Sequence, residues 1–468
     1  MDVPSTPGPL YVRVADGLRE AIRQGEFGAG ERLPSDRDLA RDLDVSRTTT
    51  IAAYRLLRAE GLLESTRGSG TRVATSGRLV GPAVQVGPTA KLPEAMPPDT
   101  VDLAGSLLPG LDVLPDNALH LGADEMRRLA VDFEYEPLGL PALREAIAAR
   151  YTRAGLPTTT AEVLVTTGAQ QAIQLLFALF GQGRGVIATE NPTYAGALDA
   201  ARTAGATLLG LPCDAEGIRV RALREALDSV RLVYLMSTCQ NPTGTTMSAA
   251  RRREITRLAA STGTPVVDDT TLAELTFDER PYAPLGAPDD ATIITVGSLS
   301  KLFWAGLRVG WIRAPEQLLN RLARLKATAD LGSSHVSQLL ALRLLPTVPQ
   351  VAATQRARLV ERLDLTADLL RAQLPSWSWT RPAGGPFLWV RLPHGTDAAR
   401  FARVALRCGV RVLPGARTSP DSSFADHLRM SYVDSPDRIR EAVDRLARAW
   451  ANHSSASGLD RPALDVVV

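Results

Sequence analysis

The sequence predicts a multidomain chain: a small N-terminal α+β winged helix, then an α/β body on a mainly parallel seven-stranded sheet, then a smaller C-terminal α+β lobe. Three observations predict it. Residues 8–75 are dense in helical spacing and end in a glycine-tipped hairpin. Residues 76–100 lose that periodicity and fill with proline and glycine, the composition of an extended linker. From about residue 101, short β-branched runs alternate with longer helical stretches, the pattern of parallel strands covered by helices.

Each element of the first segment has a local cause. Leu10, Val14, Leu18 and Ile22 recur at four-residue spacing and predict the first helix. Leu33-Pro34-Ser35-Asp36 supplies an N-cap serine and an acidic first turn for a second, short helix. Asp44-Val45-Ser46 makes a tight turn and caps a third, from Arg47 to about Glu60. That helix opens with Arg47, Thr48, Thr49 and Thr50, poor helix formers but apt groups for a major groove. Gly61-Leu62-Leu63 and then Arg67-Gly68-Ser69-Gly70-Thr71-Arg72 read as a hairpin wing. The segment 1–75 holds 11 arginines against 11 acids, so DNA binding there would rest on charge placement rather than bulk charge.

In the body, the expected strands are Val163–Thr166, Gly185–Thr189, Thr207–Leu211, Leu232–Met236, Pro265–Asp268, Ile293–Gly297 and Val309–Arg313. A long helical section spans about 315–373, and strands at Phe387–Arg391, Val410–Leu413 and Leu428–Tyr432 belong to the smaller lobe. The expected division is 8–75, a linker at 76–100, and a body at 101–450. In that body the large lobe covers about 120–330 and the small lobe about 101–119 and 331–450. Residues 451–468, with serine, glycine and proline, are expected to be a disordered tail.

Composition narrows the setting. With 468 residues and 45% apolar content, large cores are affordable, and no apolar run is long enough to span a membrane. Three cysteines and five histidines show no metal spacing or disulfide framework, which fits a reducing cytoplasm and no metal. Of 53 Lys+Arg residues only Lys91, Lys301 and Lys326 are lysines. A chain that uses arginine wherever a positive charge suffices keeps lysine where arginine fails. An amine condenses with an aldehyde to an imine; a permanently protonated guanidinium does not. Lys301, in Ser298-Leu-Ser300-Lys301, is the candidate, whereas Lys91 and Lys326 read as stray surface lysines.

An aldehyde cofactor such as pyridoxal phosphate needs an amine, a carboxylate at its ring nitrogen, a donor to its ring hydroxyl, a ring stacker and a phosphate cup. Thr167-Gly168-Ala169-Gln170 ends a strand and opens a helix, freeing backbone N–H groups for phosphate. Glu190-Asn191-Pro192-Thr193-Tyr194 offers the stacker Tyr194, Asn241-Pro242-Thr243-Gly244 offers Asn241, and Val267-Asp268-Asp269 closes a strand with Asp268. Singly each is weak; in this order they resemble the fold-type I aminotransferases. The resemblance assigns Lys301 to the imine, Asp268 to the ring nitrogen, and Ser298, Ser300 and Arg308 to the phosphate. It further assigns Tyr135 to the neighbouring subunit's phosphate and Arg429 to an amino acid's α-carboxylate. Relatives usually carry a tyrosine two residues past the ring-nitrogen aspartate; here that residue is Thr270.

Residues 8–75 resemble the GntR-type winged helix, through Leu33-Pro34-Ser35, Val45-Ser46-Arg47, Glu60-Gly61-Leu62-Leu63 and Arg67-Gly68-Ser69-Gly70-Thr71. By that resemblance Arg37, Ser46, Arg47, Thr48 and Thr49 face DNA, and the wing at Gly68–Gly70 meets the minor groove. The two modules together resemble the MocR family of bacterial transcription regulators. The resemblance implies a cytoplasmic homodimer on operator DNA that senses pyridoxal phosphate and an amine or amino-acid effector. The alternative it leaves is an aminotransferase with an appended DNA-binding head.

Overall fold

The computed structural model of the protein describes residues 9–24, 26–27, 30–66, 70–74, 99–105, 108, 114, 119–132, 135–278, 284–286 and 292–458. The chain forms two compact units, Met1–Val86 and Gly87–Val468. The expected linker at 76–100 falls almost wholly outside the described residues, as do Lys91 and Gly68. Among the described residues no helix is long and apolar enough to cross a membrane.

In the first unit, helices α1 (Leu10–Gln24), α2 (Asp36–Asp42) and α3 (Arg47–Ala59) precede a hairpin of β1 (Leu63–Thr66) and β2 (Gly70–Val73). A bridge from Arg32 to Arg72 widens the wing. Val14, Leu18, Leu39, Ala53, Leu57 and Val73 form one core under it. Ser35 and Ser46 act as the expected N-caps, accepting at 3.2 Å from the amides of Asp38 and Thr49. Tyr54 donates to the Pro34 carbonyl at 2.7 Å and fastens α3 to the loop before α2.

The second unit is built on an eight-stranded sheet. Its strands are β4 (Val163–Thr166), β5 (Val186–Asn191), β6 (Thr207–Asp214), β7 (Gly217–Ile218), β8 (Leu232–Leu235), β9 (Val266–Asp269), β10 (Ile293–Ser298) and β11 (Gly310–Arg313). The order is β4-β11-β10-β9-β8-β5-β6-β7. Strands β6, β5, β8, β9 and β10 run parallel, while β11 is antiparallel to β10 and β4, and β7 is antiparallel to β6. The seven expected strands are present; β7, two residues long, is too short for an alternation signal. Both faces are buried, as a parallel sheet demands. Leu164 packs with α6 (Gly168–Phe180) and Val267, whereas its neighbours Val163 and Val165 join the opposite core.

Around the sheet lie α4 (Ala123–Asp132), α5 (Pro141–Arg153), α7 (Ala195–Thr203), α8 (Val220–Ala226), α9 (Ala249–Thr262), α10 (Glu316–Asp330) and α11 (His335–Leu344). The long α12 (Val348–Gln373) leads to an antiparallel sheet, β12 (Ser378–Trp379), β13 (Phe387–Arg391), β16 (His427–Ser431) and β15 (Leu413–Pro414). Strand β3 (Val101–Asp102) pairs in parallel with β14 (Val410–Arg411), which returns residue 101 to the small lobe. Helices α13 (Ala398–Arg407) and α14 (Pro436–Gly458) close that lobe. Helix α14 runs through Gly458, so the first part of the expected tail is helical. Trp450 and His453 stack at 5.8 Å, and His453 meets Phe401 edge-on at 5.7 Å, tertiary packing that overrides weak local propensity.

Lys326 is no surface lysine. On α10 it is fully buried, and its ammonium meets Asp330 Oδ1 at 2.9 Å one turn on, while Gln171 donates to Asp330 Oδ2 at 2.7 Å. Asp330→Ala should destabilise the second unit by about 3 kcal/mol, because the change strands a buried charge. Lys326→Met, filling the slot without charge, should cost much less. Urea midpoints of the two variants check the ranking; equal losses would show that the slot admits water.

Candidate functional site

On the first unit, the start of α3 is exposed at Ser46, Arg47 and Thr48, with Thr49 half-buried and Thr50 buried. Thr50 is spent on the carbonyls of Asp36 and Arg47, at 2.8 and 2.9 Å. Ser46 Oγ lies 2.8 Å from Thr48 Oγ1 and 2.7 Å from Thr49 Oγ1, a cluster of short donors at the helix tip. Arg47 Nε donates to Asp36 Oδ2 at 2.6 Å, and that bond holds the Asp36 carboxyl below the usual range. Arg37, the next residue along, is exposed. On the wing, Gly70 has a φ of +82°, and a Cβ there would sit 2.8 Å from Arg32 Nε.

On the second unit, one cavity of about 450 Å³ opens at the C-terminal ends of the strands. Lys301 stands in it just past β10, its amine pushed down to about 8 by burial and by the neighbouring Arg429 and Arg308, with Asp269 opposing. The α6 N-terminus faces the cavity through Ala169 and Gln170. Gly168, at φ +74°, leaves room for the Arg308 guanidinium, which a Cβ would meet at 3.0 Å. Arg308 itself donates to the Thr167 carbonyl at 2.8 Å. Ser298 Oγ accepts from the Ser300 amide at 3.2 Å and donates to the Val309 carbonyl at 3.1 Å, fixing the turn that presents both hydroxyls. Tyr194 donates to Gln170 Oε1 at 3.0 Å while Gln170 Nε2 donates to the Gly196 carbonyl at 2.8 Å, so Gln170 locks the tyrosine ring.

Arg429 lies buried at the cavity floor. It donates to Asn241 Oδ1 at 3.0 Å and to the Ala104 carbonyl, and its guanidinium sits 4.0 Å over the Phe387 ring. Burial pushes it down to about 10, and its Nε finds no partner among the described residues. A buried guanidinium with a spare N–H is a prepared anion site.

One expected position moves by a residue. Asp268 turns away from the cavity and accepts from Ser237, N at 3.0 Å and Oγ at 2.9 Å. Asp269 lines the cavity, accepting from Tyr234 at 2.7 Å and from the Thr271 amide and hydroxyl at 3.0 and 2.6 Å. Successive strand residues point to opposite sides, so only one of two adjacent aspartates can face a ring. The threonine shifts with it. Thr270 donates to the Val296 carbonyl at 2.8 Å and lines a separate cavity, while Thr271, two residues past Asp269, lines this one. Tyr135 is 73% exposed and lies outside the cavity of its own chain. Sequence reasoning missed Tyr234; a lone hydroxyl inside the fully buried strand Leu232–Leu235 had to find a partner, which was the available signal.

Comparison with known proteins agrees with both modules. Residues 10–73 match the pattern "Bacterial regulatory proteins, gntR family" and residues 115–446 match "Aminotransferase class I and II". The HTH-type transcriptional regulator YisV of Bacillus subtilis is 32% identical over 450 residues, covering 91% of this chain and 92% of that protein. A Rhizobium meliloti protein named "Probable rhizopine catabolism regulatory protein MocR" is 28% identical over 97% of this chain and 96% of its own. The chain belongs to the MocR family of transcription regulators. Solved structures similar to this MocR-family chain include aminotransferases. The α-aminoadipate aminotransferase LysN of Thermus thermophilus, complexed with N-(5'-phosphopyridoxyl)-L-leucine, superposes with a TM-score of 0.69. It is 29% identical and covers 77% of this chain and 94% of that one.

Fold-type I aminotransferases use pyridoxal phosphate, and the donor set fits it: a buried amine, a buried carboxylate, an aromatic ring, a helix N-terminus and serine hydroxyls around one cavity. Asp269→Asn should weaken cofactor binding about 10–100-fold, the worth of one charged hydrogen bond. Asp268→Asn should weaken it far less. Equilibrium dialysis measures both; the reverse ranking would return the ring-nitrogen role to Asp268.

Proposed function

We propose that this regulator holds pyridoxal phosphate in the second unit and reads an amine or amino-acid effector through it, while a homodimer of the chain binds operator DNA in the cytoplasm. The observation that carries the reading is the convergence of Lys301, Asp269, Asn241, Tyr194 and Arg429 on one cavity. When bound, pyridoxal phosphate supplies an aldehyde for an amine and a ring that withdraws electrons. The chain's own residues bind and orient it. The α6 N-terminus at Gly168, Ala169 and Gln170, with Ser298, Ser300 and Arg308, takes the phosphate. Asp269 holds the ring nitrogen, Tyr194 stacks, Asn241 donates to the ring hydroxyl, and Arg429 grips an effector's carboxylate.

Sensing is favoured over turnover by Thr271, too short to serve as the ring-hydroxyl donor that a tyrosine would be. A sensor needs one amine exchanged for another; a catalyst needs proton transfers and product release besides. Exposed Tyr135 suits a role in the partner subunit's site, as the family resemblance implies. On the first unit Arg37, Ser46, Arg47, Thr48 and Thr49 enter the major groove and the Gly68–Gly70 wing the minor one.

Lys301→Arg should abolish the visible absorption of the cofactor-loaded protein while keeping its charge; retained absorption would remove Lys301 from the role. Because only the neutral amine attacks an aldehyde, the capture rate should climb about tenfold per pH unit up to about 8 and then level off. A stopped-flow series across pH 6–9 reads this. On DNA, Arg47→Ala should lose about 1–3 kcal/mol of operator discrimination with the cofactor spectrum unchanged. A mobility shift on the chain's own upstream DNA, with and without pyridoxal phosphate and amino acids, tests the whole reading. Turnover of an amino acid with a keto acid at about 1–1,000 per second would overturn it in favour of an enzyme.

A further inference from the structure

The small lobe carries a row of arginines that the cofactor site does not use. Helix α13 buries Ala398, Phe401 and Ala405 and turns Arg400, Arg403 and Arg407 outward, all three exposed. They line a groove of about 520 Å³ whose other wall is Asn452 and His453 of α14. At 1.5 Å rise per residue the row extends about 10 Å along the helix. Burial and the nearby Arg400 push His453 below its usual range, so the arginines carry the groove's positive charge at neutral pH.

None of the three side chains has a hydrogen-bond or ion-pair partner among the described residues. The nearest carboxylate on the helix, Asp397, caps it, accepting from the amides of Ala399 and Arg400 at 2.8 and 3.1 Å. Several arginines on the neighbouring helices are paired. On α14, Arg438 and Arg445 pair with Glu441 and Arg440 with Asp437, and on α12 Arg371 pairs with Asp368. Like charges one turn apart destabilise a helix, so an uncompensated row is retained against a local penalty. An external polyanion removes that penalty. The head, meanwhile, offers no net basic excess, with 11 arginines and 11 acids over residues 1–75.

We propose that the outer face of α13 is a second DNA contact, binding the sugar–phosphate backbone outside the stretch read by the winged helix. The inference rests on the reading that the chain binds DNA. A contact through charge alone adds affinity and salt dependence without sequence preference.

The test is fluorescence anisotropy of the full chain, loaded with pyridoxal phosphate, on a long duplex of its own upstream DNA from 50 to 200 mM salt. The triple variant Arg400→Ala, Arg403→Ala, Arg407→Ala should flatten the slope of log K against log salt by about 2.7 per engaged protomer, at about 0.9 per phosphate. Triple replacement by lysine should restore the slope, since a backbone contact needs charge rather than a planar fork. Arg47→Ala, by contrast, should change the slope by about 1 or less. Unaltered slope and affinity in the triple alanine variant would overturn the proposal while leaving the head's role intact. Failure of the unsubstituted chain to bind any duplex would overturn the DNA reading itself, and this one with it. Should the triple variant lose its cofactor absorption, the three single variants carry the test, each expected to remove about 0.9.

Discussion

The end of β9 sends two adjacent carboxylates into the interior, and the site is organised by how each is satisfied. A buried carboxylate without donors costs several kcal/mol, so each fixes its surroundings. Asp268 binds Ser237 through amide and hydroxyl and thereby pins the start of the loop that carries Asn241. Glu190 Oε2, buried and pushed up to about 8, adds a bond from the Met236 amide at 3.0 Å. Asp269 turns the other way and is held by Tyr234 and Thr271 at the wall of the cavity. Asp268 therefore helps to position the loop carrying Asn241 while its neighbour faces the cavity. Burial, with the neighbouring cations Arg429 and Arg308, lowers the Lys301 pKa and favours its neutral amine.

This arrangement explains what the sequence made legible. Five apolar, β-branched strands, β4, β5, β8, β9 and β10, could be bounded to within a residue or two, because a strand buried on both faces reads as a continuous run. The motifs of the site came in order, and most of their residues share the cavity. What the sequence left undecided was parity. Asp268 and Asp269 are the same residue type in the same run, and only the pleat decides which faces the ring; Thr270 and Thr271 inherit that ambiguity. The depth of Lys326 could have been read. It lies three and four residues beyond Ala323 and Leu322, on the buried stripe of α10, where helical spacing places it in the core.

The head depends on a weaker kind of bond. Arg47 is tied to Asp36 in an ion pair whose arginine side chain is 52% exposed, and such a pair contributes about 0–1 kcal/mol. It holds the guanidinium near the tip of α3 at little energetic cost to release. Asp36 can therefore yield the arginine to another anion, whereas the Tyr54 and Thr50 bonds beneath, half-buried or deeper, keep the helix seated.

Arg429 is where ligand and architecture meet. It stands on β16 of the small lobe, yet its partners are Asn241 at the edge of the large sheet and the Ala104 carbonyl beside β3. One buried guanidinium thus spans the two lobes, and its remaining Nε is an unsatisfied donor among the described residues. A carboxylate bound there would meet a donor already desolvated, and would draw the guanidinium between ligand and Asn241.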